Sequence, residues 1–589
     1  MASTERSVRR LEQTLGHLQQ QTLSQKISIL HGPSEPPLLP ITLGNFLERQ
    51  SILFQNSECV VFPETGARLT YGQLYERTTT LARSLIAMGI GHGDRIGIMA
   101  GNCEQYVVIF FAAARIGAIL VVLNNTYTAT EMEYALQHTQ CKLLFTESHI
   151  SRHNNTPFLK KMGPRPKKNG SSTCLEEIIL IENIPQGFPI YLDTLASSSA
   201  TSMRVLQATE DRVSTYDVVN LQFTSGSTGH PKAAMLTHHN IINNSRFIGD
   251  RMSLTEKDVL CCPPPLFHCF GLVLGLLATM THGSKIIYPS KTFDPSAVLE
   301  AISDEKCTAL HGVPAMFETI LSLPRPQGFA CSRLRTGIIA GAPVPRPLME
   351  RLVSELNMTE FTSSYGLTET SPTCFNAFVD DTIERRLNTV GKILPHAHAK
   401  IVDREGQIVP IGQRGELCIA GYCLQKGYWN DSEKTAQAMQ KDQYGVTWLR
   451  TGDEASFDDQ GYCTITGRFK DIIIRGGENI YPLEIEERLV EHDVIERAVV
   501  VGLQDHKYGE VVGAFLKLRV NTSRPLDEDI RNWVRSKLSR HKAPVYIFWL
   551  GQDGVSDTIP QTGSGKVKKH ELRKLGDMLV KERTRARKV

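Results

Sequence analysis

The chain lacks a charge imbalance: 65 lysines and arginines stand against 62 aspartates and glutamates, a net of +3 over 589 residues. A balance this close argues against nucleic acid or an anionic membrane as the main partner. None of the thirteen cysteines forms a CxxC pair, and Cys261 and Cys262 are adjacent, which speaks against a zinc site or a disulfide framework and for a reducing compartment. No apolar run reaches bilayer length. Tyr106 to Val122 comes nearest, but Arg115 and Gly117 interrupt it, so it reads as a core helix followed by a strand. The stretch Met1 to Gln25 is polar, and no secretory signal is expected there.

Two familiar phosphate-binding patterns are also missing. His230 and Pro231 separate Gly229 from Lys232, and Ala233 follows, so the glycine-lysine-hydroxyl end of a Walker loop is absent. "GSGK", ending at Lys566, has Pro560 in place of the first Walker glycine and Val567 after the lysine. "GIGHGD", from Gly89, has Asp94 where a dinucleotide fingerprint needs its third glycine.

What is present is "TSGSTGHPK", Thr224 to Lys232, entered from the apolar run Val218, Val219, Leu221 and Phe223. Gly226 and Gly229 allow backbone N–H groups to converge, and Thr224, Ser225, Ser227 and Thr228 add hydroxyl donors. Lys232 supplies a point charge, so the loop suits a phosphate chain. The bland alternative is a solvated serine-rich turn. Around it the chain alternates helix and strand periods. Leu74, Leu81, Leu85 and Met88 mark a helix closed by Gly89, "RIGIM" is a strand, and "AILVV" follows a helix ending at Gly117, which is α/β wiring. Lys160 to Ser172 is rich in proline, glycine and lysine and reads as a mobile surface insertion, and Lys581 to Val589 reads as a frayed, solvated end.

The texture changes near "GRFKDIIIRGGENIYPLEIE", Gly467 to Glu486, where a smaller unit begins. The expected organisation is an extension over 1–40, a large unit over 41–469 and a small unit over 470–589 that carries Lys566. In "SSYGLTET", Ser363 to Thr370, Glu369 is the expected magnesium ligand beside a polyphosphate, because a hard cation prefers carboxylate oxygen. Thr368 would hold a phosphate oxygen, and Tyr365, next to Gly366, would offer a face to a purine. Asp453 in "RTGD" can accept from both ribose hydroxyls, and Arg468 can clamp the sugar and phosphate side.

These motifs, with "PQTGSGK", stand in the order and spacing of the adenylate-forming superfamily of acyl-CoA synthetases, adenylation domains and luciferases, and the chain resembles that superfamily from about Leu43 almost to its end. The departures are Ala233 for a frequent glycine and Gln561 for a frequent basic residue. The resemblance implies layered α/β sheets with a small β-barrel-like subdomain, plus a small mobile α+β C-terminal domain. It also implies a two-step ligase using ATP, Mg2+ and coenzyme A on a small carboxylic acid. By matching position, Thr224 to Lys232 would grip the phosphates, and Gly341, Ala342, Pro343 and Tyr365 would frame adenine. Asp453 and Arg468 would hold ribose. Lys566 would bridge the acid and the α-phosphate, and Lys470 would be a hinge. The segment Arg475 to Asn479, with Gly476 and Gly477, would face the pantetheine channel, and His268 would gate the acyl carbonyl. Cys269, Phe270 and Ala340 are expected to line the acyl pocket. Fatty, aryl and carrier-bound products remain alternatives, as does a scaffold without turnover.

At the start, "RLEQTLGHL", Arg10 to Leu18, looks like an N-terminal peroxisomal import signal, with Arg10 and His17 offered to an import receptor. Mitochondrial and cytoplasmic locations are the rivals, and Glu5 and Glu12 weigh against a mitochondrial presequence.

Overall fold

A computed structural model of the chain describes residues 27–166, 174–182, 187–224, 231–341, 344–552, 554–562 and 567–586, with side chains as far as 583. Three sheets build the large unit. The first runs, edge to edge, Lys232–Thr237, Val218–Thr224, Ile119–Val122, Arg95–Met99, Leu143–Thr146 and Glu177–Leu180, parallel except for its first pair. The second has nine strands. Its parallel centre, from Glu360–Gly366 to Glu58–Phe62, is flanked by antiparallel pairs at both edges.

The helix Glu104–Arg115 explains why the longest apolar segment stays inside the protein. Ten of its residues, from Tyr106 to Arg115, are buried in one core cluster or against it. Arg115 ends this helix with its side chain 1% exposed, paired with Glu210 and stacked 4.4 Å over the Tyr75 ring. A charge so enclosed persists only because it is paired and hydrogen-bonded. Capping boxes at Thr70, Thr128 and Thr237 start three of the helices that cover the sheets, each hydroxyl accepting the N–H three residues on.

The third sheet is antiparallel and six-stranded, with Thr447–Phe457 paired to Gly415–Gly421, Met439–Lys441 and Cys463–Arg468. Ile29–His31 adds its edge strand by pairing with Ala397–Val402, so this part of the expected extension belongs to a sheet. The small unit is a five-stranded sheet, Glu478–Ile480 to Ile495–Asp505 with Tyr546–Trp549 beside Gly509–Leu518. It carries the helices Pro482–Val490, Asp527–Arg535 and Lys569–Ala586.

Two surface expectations change. Lys160–Met162 form the last turn of the helix Thr156–Met162, with Phe158 and Leu159 buried beneath them, while 167–173 lie outside the described residues. Lys581–Ala586 continue the terminal helix, whose Leu572 and Leu579 pack on the small sheet and so hold its register. The thirteen cysteines are thiols, eleven of them buried. Among the described residues no helix is long and apolar enough to cross a membrane.

Candidate active site

Thr224 and Lys232 are register partners at the ends of paired strands, so the polar loop leaves and re-enters the sheet at one point. The loop itself, with Ser225, Gly226, Ser227, Thr228 and Gly229, lies outside the described residues. Its exit strand is clipped by the segment Gln425–Trp429. The Trp429 N–H donates to the Ala233 carbonyl at 2.8 Å, the Met235 N–H to the Gly427 carbonyl at 3.0 Å, and Ala234 bridges Tyr428. The same segment reaches Glu369. The Gln425 N–H donates to the Glu369 carbonyl at 2.9 Å, and the Tyr428 hydroxyl donates to Glu369 Oε1 at 2.8 Å. Lys232 Nζ lies 4.8 Å from the centre of the Tyr428 ring. Burial, then the Glu369 carboxylate, raises the Tyr428 pKa, so the phenol remains a donor at any physiological pH. The 3₁₀ turn Thr368–Thr370 packs on Lys232–Thr237, which puts Thr368 and Glu369 beside the mouth of the loop.

On the opposite side Asp453 and Arg468 face each other across a strand pair, with Asp453 Oδ1 2.9 Å from Arg468 Nε. The Tyr365 hydroxyl donates to Asp453 Oδ2 at 2.6 Å. Oδ2 accepts from the phenol, and Oδ1 is buried and ion-paired with Arg468 without accepting a hydrogen bond. Tyr365 is thereby tied to Asp453 across 88 residues of sequence. Gly366 lies so close to Pro372 that a Cβ would come within 1.8 Å of that carbonyl oxygen, so only glycine fits. Gly341 follows the strand Thr336–Ile339 at φ +89°, the left-handed region that glycine enters freely. Ala342 and Pro343 are outside the described residues.

Lys470 occupies the one-turn 3₁₀ segment Phe469–Asp471 between the two units. Its side chain keeps access to solvent, yet partial burial and then the Arg468 cation lower its pKa, with Lys232 adding to the repulsion. Lys470 therefore shares the electrostatic field of Arg468, Asp453 and Lys232.

The acyl side is built differently. His268 sits in a proline-rich turn fixed by Asn102, whose Oδ1 accepts the Leu266 N–H at 2.9 Å. Its Nδ1 accepts the Phe270 N–H at 3.1 Å. Phe270–Leu277 then form a fully buried π-helix, a rare geometry that recurs at functional sites. Phe270 shares a cluster with Val313, Met316 and Ala340. Cys269 does not. It is fully buried in the neighbouring core cluster, because adjacent residues on a helical turn point in different directions. Behind Phe270, buried His311 is bonded at both ring nitrogens. Nδ1 accepts the Ile338 N–H at 3.0 Å, and Nε2 lies 3.0 Å from the Leu274 carbonyl. Burial lowers its pKa to about 4, so the neutral tautomer donates from Nε2.

In the small unit Gly476 and Gly477 turn a two-residue hairpin between Ile473–Arg475 and Glu478–Ile480, both at positive φ, +60° and +91°. Arg475 stacks 4.5 Å over Tyr508. Lys566 lies outside the described residues, but Gln561 and Val567 bridge at the base of its loop. Gln561, its amide oriented to suit its partner, accepts from Arg497 at 3.0 and 3.1 Å, and so anchors the loop where a basic residue is more frequent. Arg497 also faces Glu318 of the large unit, whose pKa burial raises against the pull of that cation. The clip through Tyr428, the Asn102 brace and His311 were not among the residues singled out from the sequence. Of these only "KGYW" follows the motifs at a spacing that could have drawn attention.

The family model described as AMP-binding enzyme matches residues 47–429, and that of the AMP-binding enzyme C-terminal domain matches 484–566. The chain is 65% identical over 578 residues to Acyl-CoA ligase sidI of Aspergillus fumigatus, covering 98% of both chains. It is 60% identical over 585 residues to Acyl-CoA ligase SID4 of Ajellomyces capsulatus, covering 98% of this chain and 99% of that one. Among solved structures, an ATP-bound RpMatB–BxBclM chimera superposes with a TM-score of 0.76 at 25% identity, over 91% of this chain and 99% of that chain.

Proposed function

Because the chain belongs to the AMP-binding enzyme family and is an acyl-CoA ligase, we propose that it activates mevalonate with ATP and releases mevalonyl-CoA for siderophore assembly. The observation that carries the ligase chemistry is the pair of oriented carboxylates. Glu369 is held by Tyr428 beside the phosphate loop, and Asp453 is held by Tyr365 and Arg468 across from it. A carboxylate oxygen of the acid attacks the α-phosphorus and pyrophosphate leaves. The thiol of coenzyme A then attacks the acyl carbonyl, and AMP leaves.

Asp453 and Arg468 hold ribose, Tyr365 with Gly341, Ala342 and Pro343 holds adenine, and Thr224 to Lys232 holds the β and γ phosphates. Glu369 offers the hard oxygen donor that magnesium takes, which fits a cation shared with phosphate oxygens. When bound there, magnesium would neutralise phosphate charge. Lys566 places its ammonium between the acid and the α-phosphate, where negative charge grows during transfer and a preorganised cation helps most. Lys470 lets the small unit turn so that Arg475 to Asn479 meet the thiol arm, and His268 stands by the acyl carbonyl. Arg10 to Leu18 deliver the enzyme to peroxisomes.

A second reading is favoured by one observation. Phe270 packs with the apolar side chains of Val313, Met316 and Ala340, which suit a medium-chain or aryl acid better than a hydroxylated one. Acid-dependent ATP–pyrophosphate exchange over mevalonate, medium-chain, long-chain and aryl acids, followed by coenzyme A consumption, separates the readings. Mevalonate should give the highest kcat/KM. A preference for an apolar acid would replace the substrate, and exchange without thioester would point to a carrier as acceptor. No exchange with any acid would leave a scaffold.

A further inference from the structure

Tyr428 lies in neither motif that carries the reaction, yet it touches both. The residue is 6% exposed, its hydroxyl donates to Glu369 Oε1 at 2.8 Å, and its ring underlies Lys232 Nζ at 4.8 Å. Its backbone cannot drift, because residues 427 and 429 are hydrogen-bonded to the phosphate-loop exit strand on either side. Its own N–H donates to Thr435 Oγ1 at 2.9 Å. Gln425 secures the main chain of Glu369 at 2.9 Å, so one five-residue segment fixes the carboxylate at its backbone and at its side chain. A glutamate held at Oε1 has a restricted rotamer and presents Oε2 in one direction.

We propose that Tyr428 is a positioning residue. It aims the Glu369 carboxylate at the cation that accompanies ATP, and it keeps Lys232 and Glu369 in fixed register so that the phosphate chain meets both together. This rests on Glu369 being a ligand of that cation. Partners one step behind a metal ligand restrict its orientation, and their loss typically weakens metal binding by about 10- to 100-fold. A tyrosine that merely filled space would lower stability on truncation and leave metal affinity alone.

The test uses the full chain with a non-hydrolysable α,β-methylene ATP analogue and Mn2+ as the metal probe, with free Mn2+ read by electron paramagnetic resonance. Tyr428→Phe keeps the ring under Lys232 and removes only the hydroxyl. It should weaken Mn2+ binding about 10-fold or more, while analogue binding without metal changes by less than about threefold, the scale of a single weak contact. Thioester formation from supplied acyl-adenylate, together with the melting curve, reports on folding and should fall far less than metal affinity. Glu369→Gln is measured alongside. If Glu369→Gln loses metal affinity and Tyr428→Phe retains it, the positioning role is overturned. If both retain it, the metal assignment of Glu369 is overturned and this inference with it.

Discussion

On the side of Asp453 and Glu369, side chains are held by polar contacts to charged groups: the Tyr365 hydroxyl donates to Asp453, Arg468 is ion-paired with Asp453, and the Tyr428 hydroxyl donates to Glu369. On the acyl side, Phe270, Val313, Met316 and Ala340 meet by packing alone, and the polar atoms behind them are paired among themselves through His311. Under the proposed function the difference follows from what each side must recognise. A nucleotide presents hydroxyls and phosphates at fixed positions, and directional bonds can be set in advance to match them. An apolar wall offers only volume and discriminates by fit, with each misplaced methylene costing about 1–3 kcal/mol.

The largest expected effect tests whether the small unit belongs to the polar side. Lys566→Ala should slow pyrophosphate exchange by about 100- to 1,000-fold, as loss of one preorganised donor does. Thioester formation from supplied acyl-adenylate should fall far less, because the first step alone uses that cation. Equal losses in both half-reactions, measured by single turnover, would place the lysine elsewhere.

Asp453→Ala removes the acceptor of the Tyr365 hydroxyl and the partner of Arg468 together. Hydrogen bonds to charged groups contribute about 1.5–3 kcal/mol, so KM for ATP should rise roughly 10- to 100-fold. The ranking of acids should not change. A change in acid preference would show that the two walls are not independent.

Much of the polar wall was legible because each part is local in sequence. The strand before Thr224, Glu369 in its 3₁₀ turn, and the glycine hairpin at 476–477 each carry their chemistry within a few residues. Asp453 and Arg468 were legible as chemistry, and their pairing is the register of two neighbouring strands. What was not legible spans longer separations. Tyr428 and Glu369 are 59 residues apart, and Tyr365 and Asp453 are 88 apart, so only packing reveals that one phenol occupies half of each carboxylate. The acyl wall was harder still. Cys269 and Phe270 fall in different core clusters, a division that apolar composition does not encode.

Ala340→Val tests the packed side. Added volume next to Phe270 should shift the ratio of kcat/KM between a branched and a smaller acid by about 10-fold, with KM for ATP unchanged within about twofold. Equal loss with every acid would mean that Ala340 supports the nucleotide instead.

His311 connects the acyl wall to stability. Its folded pKa of about 4 lies below the ordinary value of 6.5, so between these values the unfolded chain binds more protons than the folded one. The contribution is complete above about pH 6.5 and is lost as pH falls through that window, by up to ~3 kcal/mol for a shift of this size. His311→Leu leaves the Ile338 N–H and the Leu274 carbonyl unpaired, which costs about 1–3 kcal/mol for each buried group. The variant should melt lower at pH 7 and lose less further stability than the parent between pH 7 and 4.5. Parallel melting curves across that range would show that His311 is not the acid-sensitive group.

The smallest expected effect on turnover comes from a segment assigned to neither wall. Arg10 and His17 lie outside the described residues, and the first described strand, Ile29–His31, pairs with Ala397–Val402 rather than with the strands that carry the phosphate loop or the acyl wall. Neither residue belongs to the described sheets, so Arg10→Ala with His17→Ala should leave the rate of the purified ligase unaltered. An import receptor that reads Arg10 and His17 would lose both polar contacts at once. The double variant should therefore move from peroxisomes to cytosol in cells. Continued peroxisomal import, or a slower pure enzyme, would overturn the targeting role.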